Sequence, residues 1–277
     1  STLQLAFAEE AREEADPAQI AIGERLFLET RFAQAYYTNP AKADPVLDKT
    51  VTTKQSIPSP FAGKTINCRA CHMVDEHAEN PLGGMRTYAD YASRPPVPAR
   101  KDGAKTSNRN AMSMVNISIA RKNDTVFHYD GEFNSMEDLV RATLSGRNYG
   151  WQPHEQNIAF KHIATIVRTD SGKGELAKEF GGSYRKILAG TAKGIPAEFV
   201  LPAEYRVNVK TASDKQIVDA VAKLISAYVT DLAFSRDEKD QYNASPYDEF
   251  LKINKLPRKE NKNESLQSYS QRLLKAV

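Results

Sequence analysis

Cysteine is scarce: the 277 residues contain two. A small secreted scaffold held by several disulfides is thereby excluded. Long apolar runs are missing as well. None approaches the ~18 residues of a membrane-spanning helix, and the mean hydropathy is −0.55. Charge of one sign is not in excess, because the formal net charge is only +3. That balance argues against a nucleic-acid binder or a protein of the membrane surface. Tandem repeats and low-complexity tracts do not occur. No secretory leader is recognisable at Ser1, so a mature or trimmed form is expected. The length suffices for one sizeable core, or for two lobes.

Both cysteines fall within five residues, Cys68-Arg69-Ala70-Cys71-His72. The spacing C-x-x-C-H is the attachment signature of a c-type haem. Thiols three positions apart on one helical turn can each form a thioether to one vinyl group of a single porphyrin. The next residue, His72, is then placed to give a neutral imidazole to the iron. Three other uses of such a pair fit less well. A thioredoxin-like redox pair expects a βαβ neighbourhood, and none is visible. A structural zinc takes about four nitrogen or sulphur ligands, and no second C-x-x-C pair follows. A disulfide closing two intervening residues would constrain little of the unfolded chain. Haem attached through thioethers implies assembly outside the cytoplasmic membrane, so an exported, periplasmic protein is expected.

Periodicity predicts a mainly α fold with long irregular loops. Asp16-Pro17 reads as a helix start, with proline at the first helical position. Ile20, Ile22, Leu26 and Phe27 form an apolar face ending near Glu29. Residues 30–66 and 80–110 are punctuated by proline and glycine and read as irregular; a loop as long as 80–110 points to a task, here covering the haem. Residues 111–119 alternate weakly, as a short strand or helix. Ser135 is expected to cap a helix to about Ser145, stopped by Gly146. A further helix is expected over Pro153–Val167, with Ile158, His162, Ile163 and Ile166 on one face. Short helices are expected at Ser183–Leu188, Pro246–Ile253 and Glu264–Val277. The clearest runs from Ser213 to Asp231, with Ile217, Val221, Leu224, Ile225 and Tyr228 as its stripe. Three segments follow: a tail over 1–16, a haem domain over 17–235, and a helical extension over 236–277.

Several segments together resemble the amino-terminal haem domain of bacterial dihaem cytochrome c peroxidases, over roughly residues 17–250. They are similar also to the related dihaem enzymes that oxidise protein tryptophans with peroxide. The segments are Ile22-Gly23-Glu24-Arg25-Leu26-Phe27, then Ile66-Asn67 before the C-x-x-C-H. After these come Arg109-Asn110 with Met114-Val115-Asn116, then Phe127-His128-Tyr129-Asp130-Gly131, and a late helix ending near Phe234. The resemblance implies a cytochrome c-like domain that reduces hydrogen peroxide or uses it to oxidise a partner. It also implies a small redox protein as electron donor or acceptor, and a second haem domain that this chain does not contain. A homodimer is the other arrangement considered. The family's peroxide-cleaving glutamate falls in the window Asn148–Glu155, where Glu155 is the carboxylate. The aromatic that the family places between its haems matches Tyr129 or His128. The loop 80–110 lacks the histidine that many members use as a displaceable ligand.

The candidate site residues are therefore these. Cys68 and Cys71 anchor the haem and His72 binds iron. Met85, Tyr88 and Tyr91 are candidates for the sixth position, with His128 and His77 behind them. Arg109 and Asn110 are candidates to hold the propionates. Trp151 and Tyr149 either edge the haem or belong to the core. Glu155 is the candidate acid–base. An electron-transfer cytochrome whose six-coordinate haem never opens is the competing function, and a haem-based sensor is a third.

Overall fold

The computed structural model describes residues 16–40, 66–72, 94–118, 126–128, 130–190, 193–234, 236, 239 and 246–275. The chain is mainly helical with almost no strand. It divides into two compact units, one reaching Leu232 and the other spanning Ala233–Val277. Among the described residues, no helix is long and apolar enough to cross a membrane.

In the first unit the helices are α1 (Ala18–Phe27), α2 (Gln34–Thr38), α3 (Cys68–His72), α4 (Met136–Leu144) and α5 (Gln156–Thr169), followed by α6 (Glu175–Glu179), α7 (Tyr184–Ala189) and α8 (Asp214–Asp231). Helix α8 is the hub, packing against α1, α4 and α5. Its apolar stripe explains this. Ile217, Val221, Leu224 and Ile225 are all buried, as are Val218 and Val229 beside them. Ser213 starts the helix with a reciprocal capping box. Its hydroxyl accepts from the Gln216 N–H at 3.2 Å, and its own N–H donates to the Gln216 side chain at 2.8 Å.

The α1–α8 contact is unusually close at Gly23. A Cβ there would lie 2.3 Å from the Leu224 carbonyl oxygen and 2.8 Å from the Tyr228 Cβ. Both atoms belong to or adjoin the α8 backbone, so neither can swing aside. Gly23→Ala should therefore cost about 2–3 kcal/mol despite alanine's better helix propensity, as overpacked cores do. A urea titration should show the midpoint falling at an unchanged m-value.

Local chemistry shifted several expected boundaries. Pro17 is itself the cap residue of α1, with ψ of 142°. Its carbonyl accepts from Ile20 and Ala21, so the helix begins one residue later than expected. Ser135 caps α4 by accepting from the Asp138 N–H at 3.3 Å. The Asp138 carboxylate turns away to Arg141 at 2.5 Å. Helix α5 opens with a 3₁₀ turn over Pro153–Glu155, and its buried face is Ala159, Ile163, Ile166 and Val167. Ile158 precedes that stripe by one position and is 43% exposed, contrary to expectation. Residues 111–118 are neither strand nor helix; a turn at 115–118 carries Asn116 at φ 58°.

The second unit holds α9 (Pro246–Ile253) and α10 (Leu266–Leu274). Ser265 caps α10 by accepting from the Ser268 N–H, and the Tyr269 hydroxyl donates to the Pro257 carbonyl at 2.8 Å. Glu264 lies before the cap and accepts from Arg272 at 2.6 Å.

Candidate functional site

The five-residue helix α3 is too short to persist alone, and its neighbour Asn67 secures it. The Asn67 Oδ1 accepts from the Ala70 N–H at 3.0 Å, which caps the turn. Its Nδ2 donates to the Leu28 carbonyl at 2.8 Å, which ties the turn to the end of α1. Ile66 and Ala70 are buried in the core. The side chains of Cys68, Cys71 and His72 line a cavity of about 370 Å³. That volume lies within the ~300–1,000 Å³ usual for ligand and cofactor sites. Phe27 of α1, Leu144 of α4 and Ile225 and Val229 of α8 give it apolar walls.

Both cysteines are free thiols. Burial pushes the Cys68 thiol up to about 11, against an opposing hydrogen bond from Tyr149. Burial pushes Cys71 up to about 12, helped by Cys68 alongside. Redox-exchange cysteines need the opposite, a lowered pKa that exposes thiolate. The Cys68 Sγ lies 3.2 Å from the Tyr149 hydroxyl. The His72 Nδ1 lies 2.9 Å from the Met112 carbonyl oxygen. A carbonyl can only accept, so Nδ1 carries the proton and Nε2 keeps its lone pair. Burial holds the His72 pKa below its ordinary value, with the Met112 bond opposing. The imidazole is thus neutral at pH 7 and able to bind a metal through Nε2. Two thiols and one such imidazole on a single turn, facing one apolar cavity, form a donor set that fits a covalently held porphyrin.

The rim is polar. Arg109 lines it with its guanidinium 2.5 Å from Asp130. Asn110 also lines it, its Oδ1 accepting from the Arg94 N–H at 3.0 Å. His128 and Glu132 complete this side, with Nδ1 2.9 Å from a carboxylate oxygen. Among the described residues, His128, Asp130 and Glu132 are the one group of potential metal-binding side chains whose ligand atoms converge. Asp130 is paired with Arg109, and Glu132 accepts the hydrogen bond of His128 Nδ1.

Glu155 is not at the cavity. Its Oε2 accepts from the Gln152 N–H at 2.7 Å, completing a capping box at the 3₁₀ turn. Its Oε1 accepts from Arg100 at 2.6 Å. Burial pushes its pKa up, but Arg100 and the Gln152 N–H outweigh this and hold it below the usual carboxylate range. It is a structural anion, and the acid–base role expected for it has no support in this position. Trp151 is also away from the cavity. It is 1% exposed, its Nε1 donates to the Phe32 carbonyl at 3.3 Å, and it packs against Tyr37 and His162. It belongs to the core and does not edge the cavity.

His162 is buried, with Nε2 2.7 Å from the Arg31 carbonyl oxygen; His154 is exposed. Met85, Tyr88, Tyr91, His77 and Tyr129 lie outside the described residues. Sequence reasoning overlooked the methionines: Met112, Met114 and Met136 all line the cavity. The Met-Ser-Met spacing at 112–114 was the available sign. It also overlooked Asn67, whose position three residues before Ala70 is a capping pattern. Comparison with known protein families, with curated proteins and with solved structures finds no match to this chain.

Proposed function

We propose that the cavity holds one haem c, joined by thioethers at Cys68 and Cys71 and ligated by His72 Nε2, in a cytochrome c-like helical domain. The single observation that supports this most is the set of three donors on one turn, all facing the same cavity. The free thiols with raised pKa values and the fixed tautomer of His72 agree with it. When bound, the haem supplies a one-electron iron couple and a further coordination position. The chain's own residues enclose and orient it. Asn67 holds the anchoring turn, and Met112 holds the proton on Nδ1. Arg109 and Asn110 offer donors to propionates at the rim.

The chain is read as a c-type haem oxidoreductase of the dihaem peroxidase type, placed in the periplasm. Its partners would be hydrogen peroxide, a small redox protein and a second haem, from another domain or another copy. The order of segments along the chain supports this, from the α1 motif to the turn at 127–131. One observation favours the competing six-coordinate electron carrier. Among the described residues, Glu132 is the sole carboxylate lining the cavity, whereas His128 and three methionines line it too.

Intact mass and an absorption spectrum of the native protein test the common premise. A coloured protein heavier than the 30.8 kDa chain by one haem is expected. A colourless one at the bare mass overturns both functions. Mixing the ferric protein with hydrogen peroxide, and separately with cyanide, divides them. Rapid Soret changes support the peroxidase. A low-spin spectrum indifferent to both reagents supports the carrier.

A further inference from the structure

We propose that Tyr149 is a positioning residue for the first haem anchor, donating its phenolic hydrogen bond to the Cys68 sulphur once that sulphur is a thioether. This rests on the haem reading above and adds a tuning role to it. Four observations lead here.

Tyr149 is 2% exposed and lines the same cavity as Cys68. Among the described residues, its hydroxyl has one hydrogen-bond partner, the Cys68 Sγ at 3.2 Å. The two residues are 81 positions apart, so the fold brings them together. The backbone around Tyr149 is also held firmly. The N–H groups of Tyr149 and Trp151 both donate to the Gly146 carbonyl at 3.1 Å. Gly150 follows at φ 86°, where a Cβ would lie 3.1 Å from Gln34 and 3.2 Å from Pro98. Arg147, two residues before Tyr149, grips Asp102 through Nε at 2.6 Å and Nη2 at 3.0 Å.

Attachment then decides the direction of the bond. Joining a vinyl group would break the Cys68 S–H bond and the vinyl π bond and form one S–C and one C–H bond, so the step needs no oxidant. The free thiol can donate or accept, but a thioether can only accept, and weakly. The phenol must therefore be the donor or lose its bond inside a buried site. Burial raises the Tyr149 pKa well above 10, so the hydroxyl keeps its proton at neutral pH. A donor on the sulphur draws electron density from the macrocycle's edge, and second-shell hydrogen bonding of this kind adjusts haem potential. It favours the reduced state.

The experiment is a double-mutant cycle on the haem-loaded protein, read as reduction potential by spectroelectrochemistry. The four proteins are wild type, Tyr149→Phe, Cys68→Ala and the double variant. Tyr149→Phe should lower the potential. Roughly a threefold change in the oxidised-to-reduced ratio is expected, about 28 mV where tenfold is 59 mV. The same change made in the Cys68→Ala background should do nothing. An unchanged potential in Tyr149→Phe, or an equal shift in both backgrounds, overturns the assignment. Should Tyr149→Phe not fold, proton NMR of the reduced wild type decides. A slowly exchanging phenolic proton with cross-peaks to the Cys68 β-protons is expected, and its absence rejects the bond. A wild type without covalent haem would refute the haem reading itself, which this cycle keeps separate.

Discussion

Asp170→Ala should lower stability by about 3–5 kcal/mol, the cost of removing one partner from a buried ion pair. This is a large part of the ~5–15 kcal/mol that holds a domain together. Asp170 Oδ2 accepts from Arg25 and from the Tyr184 N–H, both at 3.0 Å, and Oδ1 accepts from Arg31 at 3.0 Å. Arg25 is fully buried at 0% exposure. It also donates to the carbonyls of Phe180 and Gly182, and its guanidinium lies 3.8 Å from the Tyr184 ring centroid. Glu29 accepts from Arg31 at 2.6 Å and from the Tyr184 hydroxyl at 2.8 Å. Two cations and two anions thus balance in a site that is buried at Arg25, Glu29 and Asp170 and reaches solvent at Arg31. Deleting Asp170 leaves Arg25 charged without its counter-ion and Tyr184 with an unmet N–H.

The effect should depend on pH. Burial pushes the Asp170 carboxyl up, but the Tyr184 N–H and the two guanidiniums pull it net below its ordinary 3.8. Its contribution is therefore complete above about pH 5 and is lost progressively as pH falls through 3.8 to below the lower native value. Urea titrations from pH 7 downwards should show the gap between wild type and variant closing in acid. A constant gap would mean that the carboxylate's charge is not what stabilises the site. Glu29 follows directly on Leu28, whose carbonyl holds Asn67, so the same change should loosen the anchoring turn.

The second large effect is expected at the cavity. Cys68→Ala with Cys71→Ala should abolish covalent haem completely, with the mass falling to that of the polypeptide. Each single variant should retain a haem by one thioether, seen as a red-shifted pyridine haemochrome band from the vinyl left unsaturated. His72→Ala should keep both attachments, because the thioethers do not need the imidazole, yet change the spin state. The cavity of about 370 Å³ has walls from Phe27, Leu144, Ile225 and Val229, which the two substitutions leave in place. Without a filling group the doubly substituted protein should be about 3–5 kcal/mol less stable than the loaded protein, comparable with the costliest large-to-small core changes. Thermal melts of the two proteins, side by side, measure this. A double variant that still carries covalent haem would show that another residue makes the link.

Helix α8 was legible because Ile217, Val221, Leu224 and Ile225 repeat at helical spacing behind a capping serine. The same signals placed α4 and most of α5. The turn at Cys68–His72 stood out because C-x-x-C-H is a local pattern. The cavity that it faces was not legible, since its walls come from α1, residues 107–117, α4, Tyr149 and the end of α8. No local periodicity connects those pieces. Glu155 was ambiguous because a helix-start glutamate and a catalytic one look alike in sequence. The capping bond from the Gln152 N–H and the pairing with Arg100, 55 positions away, place it at the 3₁₀ turn. The quartet of Arg25, Glu29, Arg31 and Asp170 was invisible for the same reason, as Asp170 meets the two arginines across more than a hundred positions.

The last part of the enclosure comes late in synthesis. Ile225 and Val229 sit in the closing turns of α8, long after Cys68 and Cys71 have left the ribosome. A chain in which α8 has not docked lacks the wall formed by Ile225 and Val229, so the cavity is complete only once α8 packs on α1 at Gly23.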